Sequence, residues 1–146
     1  VYVLSYAFVG IYWNNHHHLL QAIEKVNGRI LWANLHLLFW LSLIPFTTAW
    51  MGEGHFAALP VALYGVVLFF AAVAYYVLTL TLLSHHGPKS TLAKAVGSDK
   101  KGKLSLLIYG VAVLSSFFNS QIAIFLYVFV AIMWLVPDSR IEKQIN

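Results

Sequence analysis

Residues 56–83, FAALPVALYGVVLFFAAVAYYVLTLTLL, decide the fold class of this chain. The run contains no charged residue and exceeds the roughly 20 apolar residues that a helix needs to cross a bilayer. Apolar and polar residues do not alternate along it, as they would in a strand of a membrane barrel. Lipid offers the backbone no hydrogen bonds, so a helix is the remaining way to satisfy its polar groups. The run therefore predicts a membrane-spanning helix.

The composition of the whole chain agrees with this prediction. Of its 146 residues, 60% are hydrophobic and 10% are charged, whereas a soluble domain carries about 25% charged residues. The length suits one domain, so residues 1–146 are predicted to form a single transmembrane domain. There is no cysteine, which excludes disulfides and thiolate metal sites.

Four further apolar segments lie around this run. In chain order, segments A to E cover residues 1–20, 30–51, 56–83, 104–118 and 122–136. Segments A to C have the length of a span, while D and E are short and are joined by residues 119–121. Because the apolar sequence of D and E together exceeds a single span, we interpret them as two spans. The expected fold is all-α, a polytopic membrane bundle with five transmembrane helices.

The positions of the basic residues predict the orientation. They fall only in the connection after A, in the linker of residues 84–103 after C, and in the C-terminal tail, which places them on one membrane face. The positive-inside rule makes that face cytoplasmic, and the excess charge is then a topology signal with no implication of nucleic-acid binding. The first residues are already apolar and begin outside, so we expect a missing N-terminal helix that would give six spans. These basic residues are Lys25, Arg29, Lys89, Lys94, Lys100, Lys101, Lys103, Arg140 and Lys143.

A polar cluster ends segment A, in the run IYWNNHHHLL of residues 11–20. One interpretation is an interfacial run with belt aromatics. A second is a hydrogen-bonded contact between helices, since Trp13 and His16 share a helical face and Asn34 begins segment B on the same membrane side. A third is a metal site like that of membrane di-iron oxygenases, because imidazole is a common metal ligand. Consecutive histidines point about 100° apart on a helix and no spaced histidine pair is present, so no metal or cofactor is expected.

Features of transporters and of ordinary potassium channels are also missing from the sequence. Segments A to E contain no charged side chain, whereas pumps and ion-coupled transporters place ionisable residues inside the membrane. The TVGYG motif of carbonyl selectivity filters is absent as well.

Two segments carry motifs of a known family. Segment A, with FVGIYWNNHH, resembles the second helix of the endolysosomal potassium channel family and its prokaryotic homologues, where a tryptophan is followed three residues later by a histidine, as Trp13 is by His16. Segment B, with ANLHLLFWLSLIPFTTAW, resembles the third helix, with Asn-Leu at 34–35 and Pro-Phe at 45–46. The resemblance covers nearly the whole chain and identifies it as a prokaryotic single-repeat homologue, which implies a location in a prokaryotic plasma membrane.

The resemblance implies a six-helix subunit of a homotetramer that conducts potassium and other monovalent cations without a filter loop. In this family the first helix lines the pore, carries the apolar constriction and bears a Phe-Ser-Asp motif near its cytoplasmic end. That helix is expected to precede residue 1, so the pore constriction is not assigned to any residue of this chain. Trp13, His16 and Asn34 are predicted to form a polar clamp for it. No enzymatic activity is expected; the alternatives are a histidine-cluster metalloenzyme and a non-conducting structural subunit.

Overall fold

A computed structural model describes residues 2–96 and 99–136, and every regular element in these ranges is a helix. The expected helical fold is therefore confirmed for this part of the chain. Arg140 and Lys143 of the C-terminal tail, which is predicted to be cytoplasmic, lie outside the described residues. The helices are α1 (Tyr2–Gln21), α2 (Gly28–Glu53), α3 (Ala58–His86), α4 (Thr91–Val96), α5 (Lys100–Ser116) and α6 (Ser120–Leu135).

Helix α3 forms the centre of the bundle and packs against α2, α5 and α6. Small residues allow these close approaches, because a short side chain lets neighbouring backbones come near each other. Ala71 and Ala74 are fully buried. Gly65 lies against Tyr127 of α6, whose hydroxyl occupies the space that a β-carbon would need.

Two apolar cores lie along α3. The first surrounds Tyr64 and Tyr127 and includes Phe8 of α1 and Ile44 of α2. The second lies where α1 and α3 end and α2 begins, which we call the basic end of the bundle. Its members include Leu19, Ile30, Leu37, Leu82 and Leu92.

The described part of the predicted linker, residues 84–96 and 99–103, contains regular structure. Helix α3 continues to His86, and α4 occupies the middle of the connection. Leu92, Ala95 and Val96 of α4 are buried, and Leu92 and Val96 belong to the core at the basic end. The prediction of a simple linker was wrong here, because Leu92, Ala95 and Val96 are buried although the residues around them are small and basic.

The lengths of the helices bear on the number of spans. Within the described residues, α2 and α3 are long and apolar enough to cross a membrane, and α6 is apolar but shorter. Helices α5 and α6 have 17 and 16 residues, below the roughly 20 that span a bilayer without thinning. Five spans therefore stay a prediction.

Candidate functional site at the end of α1 and the start of α2

The last two turns of α1 spread their polar side chains around the helix. Asn15 faces the bundle and is 6% exposed. Each further residue turns the direction by about 100°, so His16 lies to one side of the buried stripe and His17 lies almost opposite it. The three consecutive histidines therefore point in different directions and do not converge on one point.

His16 contacts α2 through its ring. Its Nε2 lies 2.5 Å from Oδ1 of Asn34. Because the amide oxygen only accepts hydrogen bonds, Nε2 is the donor. Both residues are half-buried. The structure thus brings together two of the three residues predicted for the clamp.

Trp13, the third predicted residue, lies on another face. It is 64% exposed, and its ring stacks on His17 at a centroid distance of 5.4 Å and an angle of 12°. The stacking partner is four residues along, which on a helix lies closer to the same direction than a residue three along. Trp13 therefore forms part of the uncovered surface of α1 and takes no part in the His16–Asn34 bond.

Asn15 and Tyr75 fix the position of α1 against α3. The Asn15 amide donates to the carbonyl of Ile11 at 2.9 Å, and the Tyr75 hydroxyl donates to the carbonyl of Asn15 at 3.2 Å. The buried amide is thereby satisfied, as a polar group out of water requires. The first bond lies within α1, and the bond from Tyr75 joins the end of α1 to α3.

His36 of α2 lies two residues after Asn34, near the start of the same helix. In the structure its Nε2 accepts a hydrogen bond from Nε1 of Trp40, one turn further along, at 3.0 Å. His36 is exposed. It therefore takes part in a contact within α2, and Asn34 alone of the two bonds to α1.

The two histidines that end α3 hold the connection between α1 and α2. His86 donates from Nδ1 to the carbonyl of Leu82 at 2.9 Å, so its neutral ring has Nε2 free to accept. That atom lies 3.3 and 3.4 Å from the backbone nitrogens of Glu24 and Lys25. His85 accepts from the amide of Asn27 at 3.0 Å, and Asn27 caps α2 through Ile30 at 3.0 Å.

Sequence reasoning missed this anchoring role of the histidine pair. The signal was present, since a His-His pair ends a long apolar helix just before a Gly-Pro break. Within residues 2–96 and 99–136, no three histidine or acidic side chains come together in a way that could hold a metal ion.

Comparison with known proteins identifies the family. Residues 1–45, which include Trp13, His16 and the Asn-Leu pair at 34–35, match the family model described as endosomal/lysosomal potassium channel TMEM175. A potassium channel of Chryseobacterium sp. (strain P1-3), HX13_20290, is 51% identical over 145 residues, covering 99% of this chain and 76% of that protein. The chain belongs to the TMEM175 family.

A second relative is more distant. Potassium channel B446_29190 of Streptomyces collinus is 31% identical over 84 residues, which cover 53% of this chain and 39% of that protein. No solved structure matches the chain. The family resemblance inferred from Trp13, His16 and the start of segment B is confirmed, and the protein is a membrane protein of a potassium-transport family.

Proposed function

We propose that the chain is a subunit of a homotetrameric potassium channel whose pore is lined by a helix preceding Val1. The observation that carries this proposal is the bond between His16 and Asn34, which joins α1 to α2 beside an uncovered apolar surface. The match to the Chryseobacterium channel covers 76% of that protein, which leaves room for one more helix. In this proposal the preceding helix supplies the apolar constriction, and conduction uses no filter loop of backbone carbonyls.

The atoms around His16 suit a carboxylate on the preceding helix. Nε2 of His16 is occupied by Asn34, which leaves Nδ1 of the ring and the amide N–H groups of Asn34 without a partner among the described residues. When the ring is protonated, Nδ1 becomes a donor as well. A carboxylate placed here would receive a charge-assisted hydrogen bond, which is stronger than a neutral one. His16 and Asn34 would thus fix the position of the pore helix.

Trp13 has a different part in this proposal. Its ring is exposed on the face of α1 that also carries Tyr6, 72% exposed, and Val9, 37% exposed. We propose that the pore helix, from the same or a neighbouring subunit, covers this face. Trp13 would then contribute contact area, while His16 and Asn34 contribute the hydrogen bonds.

The orientation is part of the proposal. Five spans would place the basic end of the bundle in the cytoplasm of a prokaryotic cell and Glu53 outside. The chain has no cysteine, so single cysteines report location directly. Glu53 and Lys100 are both exposed; we expect an impermeant thiol reagent to label Glu53→Cys and to spare Lys100→Cys in intact cells. Labelling of Lys100→Cys alone would reverse the orientation.

Cation flux tests the function itself. The complete protein, reconstituted in liposomes, is expected to carry potassium, and to carry sodium more slowly. His16→Ala should lower flux or tetramer content, whereas His18→Ala, which removes a neighbouring histidine without a bond to α2, should change little. Absence of flux in the complete protein would favour a structural subunit. Stoichiometric iron in the purified protein, lost in His16→Ala, would favour the metalloenzyme instead.

A further inference from the structure

A polar cleft of about 430 Å³ lies at the basic end of the bundle, between the start of α2 and the end of α3. It is separate from the His16–Asn34 pair and does not depend on the pore. No carboxylate belongs to its lining. The lining residues are Asn27, Arg29, Leu80, Thr81, Ser84 and His85.

Three hydrogen-bond donors of this cleft are available to a ligand. The exposed Arg29 offers a guanidinium with five N–H groups. Ser84 is exposed, and its hydroxyl bonds to nothing in the described part of the chain. His85 accepts at Nδ1 from Asn27, so its neutral ring carries the proton on Nε2 and donates there. By contrast, the Thr81 hydroxyl already donates to the carbonyl of Val77 at 2.8 Å.

This set of donors fits an anion with several acceptor oxygens. Arginine pairs with phosphate in a two-pronged geometry that a lysine does not reproduce. Because Arg29 is positively charged and no acidic residue lines the cleft, the cleft favours an anion. A phosphate group would receive bonds from Arg29, Ser84 and His85 together.

The surface beside the cleft indicates where the rest of the ligand lies. Leu80 lines the cleft, and Val77 lies one turn before it on the same face of α3. Phe70 lies about two turns before Val77 on the same face. These three side chains are 47%, 39% and 39% exposed. Trp32, one turn after Arg29 on α2, is 75% exposed, and tryptophan is enriched at headgroup level in membrane proteins.

We propose that this cleft binds the phosphate of an anionic phospholipid, with an acyl chain along the stripe of Phe70, Val77 and Leu80. Basic pockets between helices at the cytoplasmic membrane surface are suited to such headgroups. A free phosphate ion would use the same donors but would leave the apolar stripe unused. The stripe is the reason to assign the lipid.

Native mass spectrometry of the complete, delipidated protein tests the assignment. We expect phosphatidylglycerol to bind more tightly than phosphatidylcholine, which has the same phosphate but no net charge. Arg29→Gln should weaken phosphatidylglycerol binding about tenfold, since it removes bonds to a charged group. Ser84→Ala should weaken it less, by about threefold. Lys25→Gln removes one positive charge from the connection between α1 and α2, which lies outside the lining of the cleft. This variant should leave binding unchanged.

Three results would overturn the assignment. Equal weakening by Arg29→Gln and Lys25→Gln would mean that lipid senses only the general positive charge of this end. Displacement of phosphatidylglycerol by an equal concentration of inorganic phosphate would identify a soluble anion as the ligand. Unchanged binding in both Arg29→Gln and Ser84→Ala would place the lipid elsewhere. The melting temperature of each variant in detergent checks that the cleft residues, which are exposed, were replaced without unfolding.

Discussion

The seam between α3 and α6 and the seam between α1 and α2 are built in different ways. At the first, the Tyr127 hydroxyl donates to the carbonyl of Val61 at 2.9 Å and its ring fits over Gly65, with Tyr127 only 1% exposed. At the second, the His16–Asn34 bond is half-buried and the nearby surface of α1 is open. The α3–α6 seam is completed by the chain's own residues. The α1–α2 seam presents groups that lipid or another helix can cover.

The largest effect on stability is expected from a side chain added at Gly65, in the seam between α3 and α6. A β-carbon at Gly65 would overlap the Tyr127 hydroxyl and lie 2.8 Å from Cγ2 of Val113. Overpacking of this kind costs about 1–3 kcal/mol, so Gly65→Ala should lower the melting temperature in detergent, followed by intrinsic fluorescence. Gly110→Ala is the matched control, since nothing lies within 4 Å of its added β-carbon. An equal loss of stability in both variants would contradict the close fit.

The polar contact between α5 and α6 should show the next effect. Nε1 of Trp134 donates to Oγ of Ser105 at 2.7 Å, and Ser105 is 1% exposed. Ser105→Ala leaves that N–H without its partner and should cost about 1–2 kcal/mol, measured by unfolding in mixed micelles. Ser116→Ala is the control, because this equally buried hydroxyl donates only to Val113 within its own helix. Similar costs for both would mean that burial, and not the bond between helices, sets the effect.

At the seam between α1 and α2, the expected effect on the stability of the subunit is smaller. A double-mutant cycle of His16→Ala and Asn34→Ala should give a coupling energy of about 0.6 kcal/mol, the average that such cycles give for hydrogen bonds between membrane helices. His18→Ala combined with Asn34→Ala provides the control cycle and should give no coupling. Coupling near zero for His16 and Asn34 would show that the two side chains do not depend on each other, against their contact in the structure.

Trp13 should contribute least to the stability of the isolated subunit. Since its ring is mostly exposed and stacks on the exposed His17, Trp13→Ala should change the free energy of unfolding by no more than about 0.5 kcal/mol. Its effect should appear instead in the proportion of tetramer, measured by light scattering of the complete protein. A large loss of subunit stability would place Trp13 inside the subunit.

The comparison also explains what the sequence could predict. Apolar length predicted the long helices, because a run without charge such as residues 56–83 has little alternative in lipid. The contact between His16 and Asn34 was predictable because segment A ends, and segment B begins, on the same side of the membrane. Trp13 was grouped with His16 by its three-residue spacing, but that spacing leaves the two directions about 60° apart, enough to turn one side chain toward α2 and the other outward.

Contacts between distant parts of the chain could not be predicted from such sequence patterns. Helix α4 is only six residues long, too short to show a helical period, and its burial depends on the positions of α1, α2 and α3. The role of His86 likewise needs the connection of residues 22–27 to lie beside the end of α3. A pattern within one segment carries no information on such a neighbour.

The anchoring of that connection by His86 has a consequence for biosynthesis. Its partners Glu24 and Lys25 are separated from it by 62 and 61 residues. Helix α1 and the connection that follows it are therefore synthesised well before the residue that fastens this connection. The fastening belongs to a late stage of assembly, after α3 has entered the membrane, and a chain that stalls within α3 would carry a hairpin whose connection is still loose.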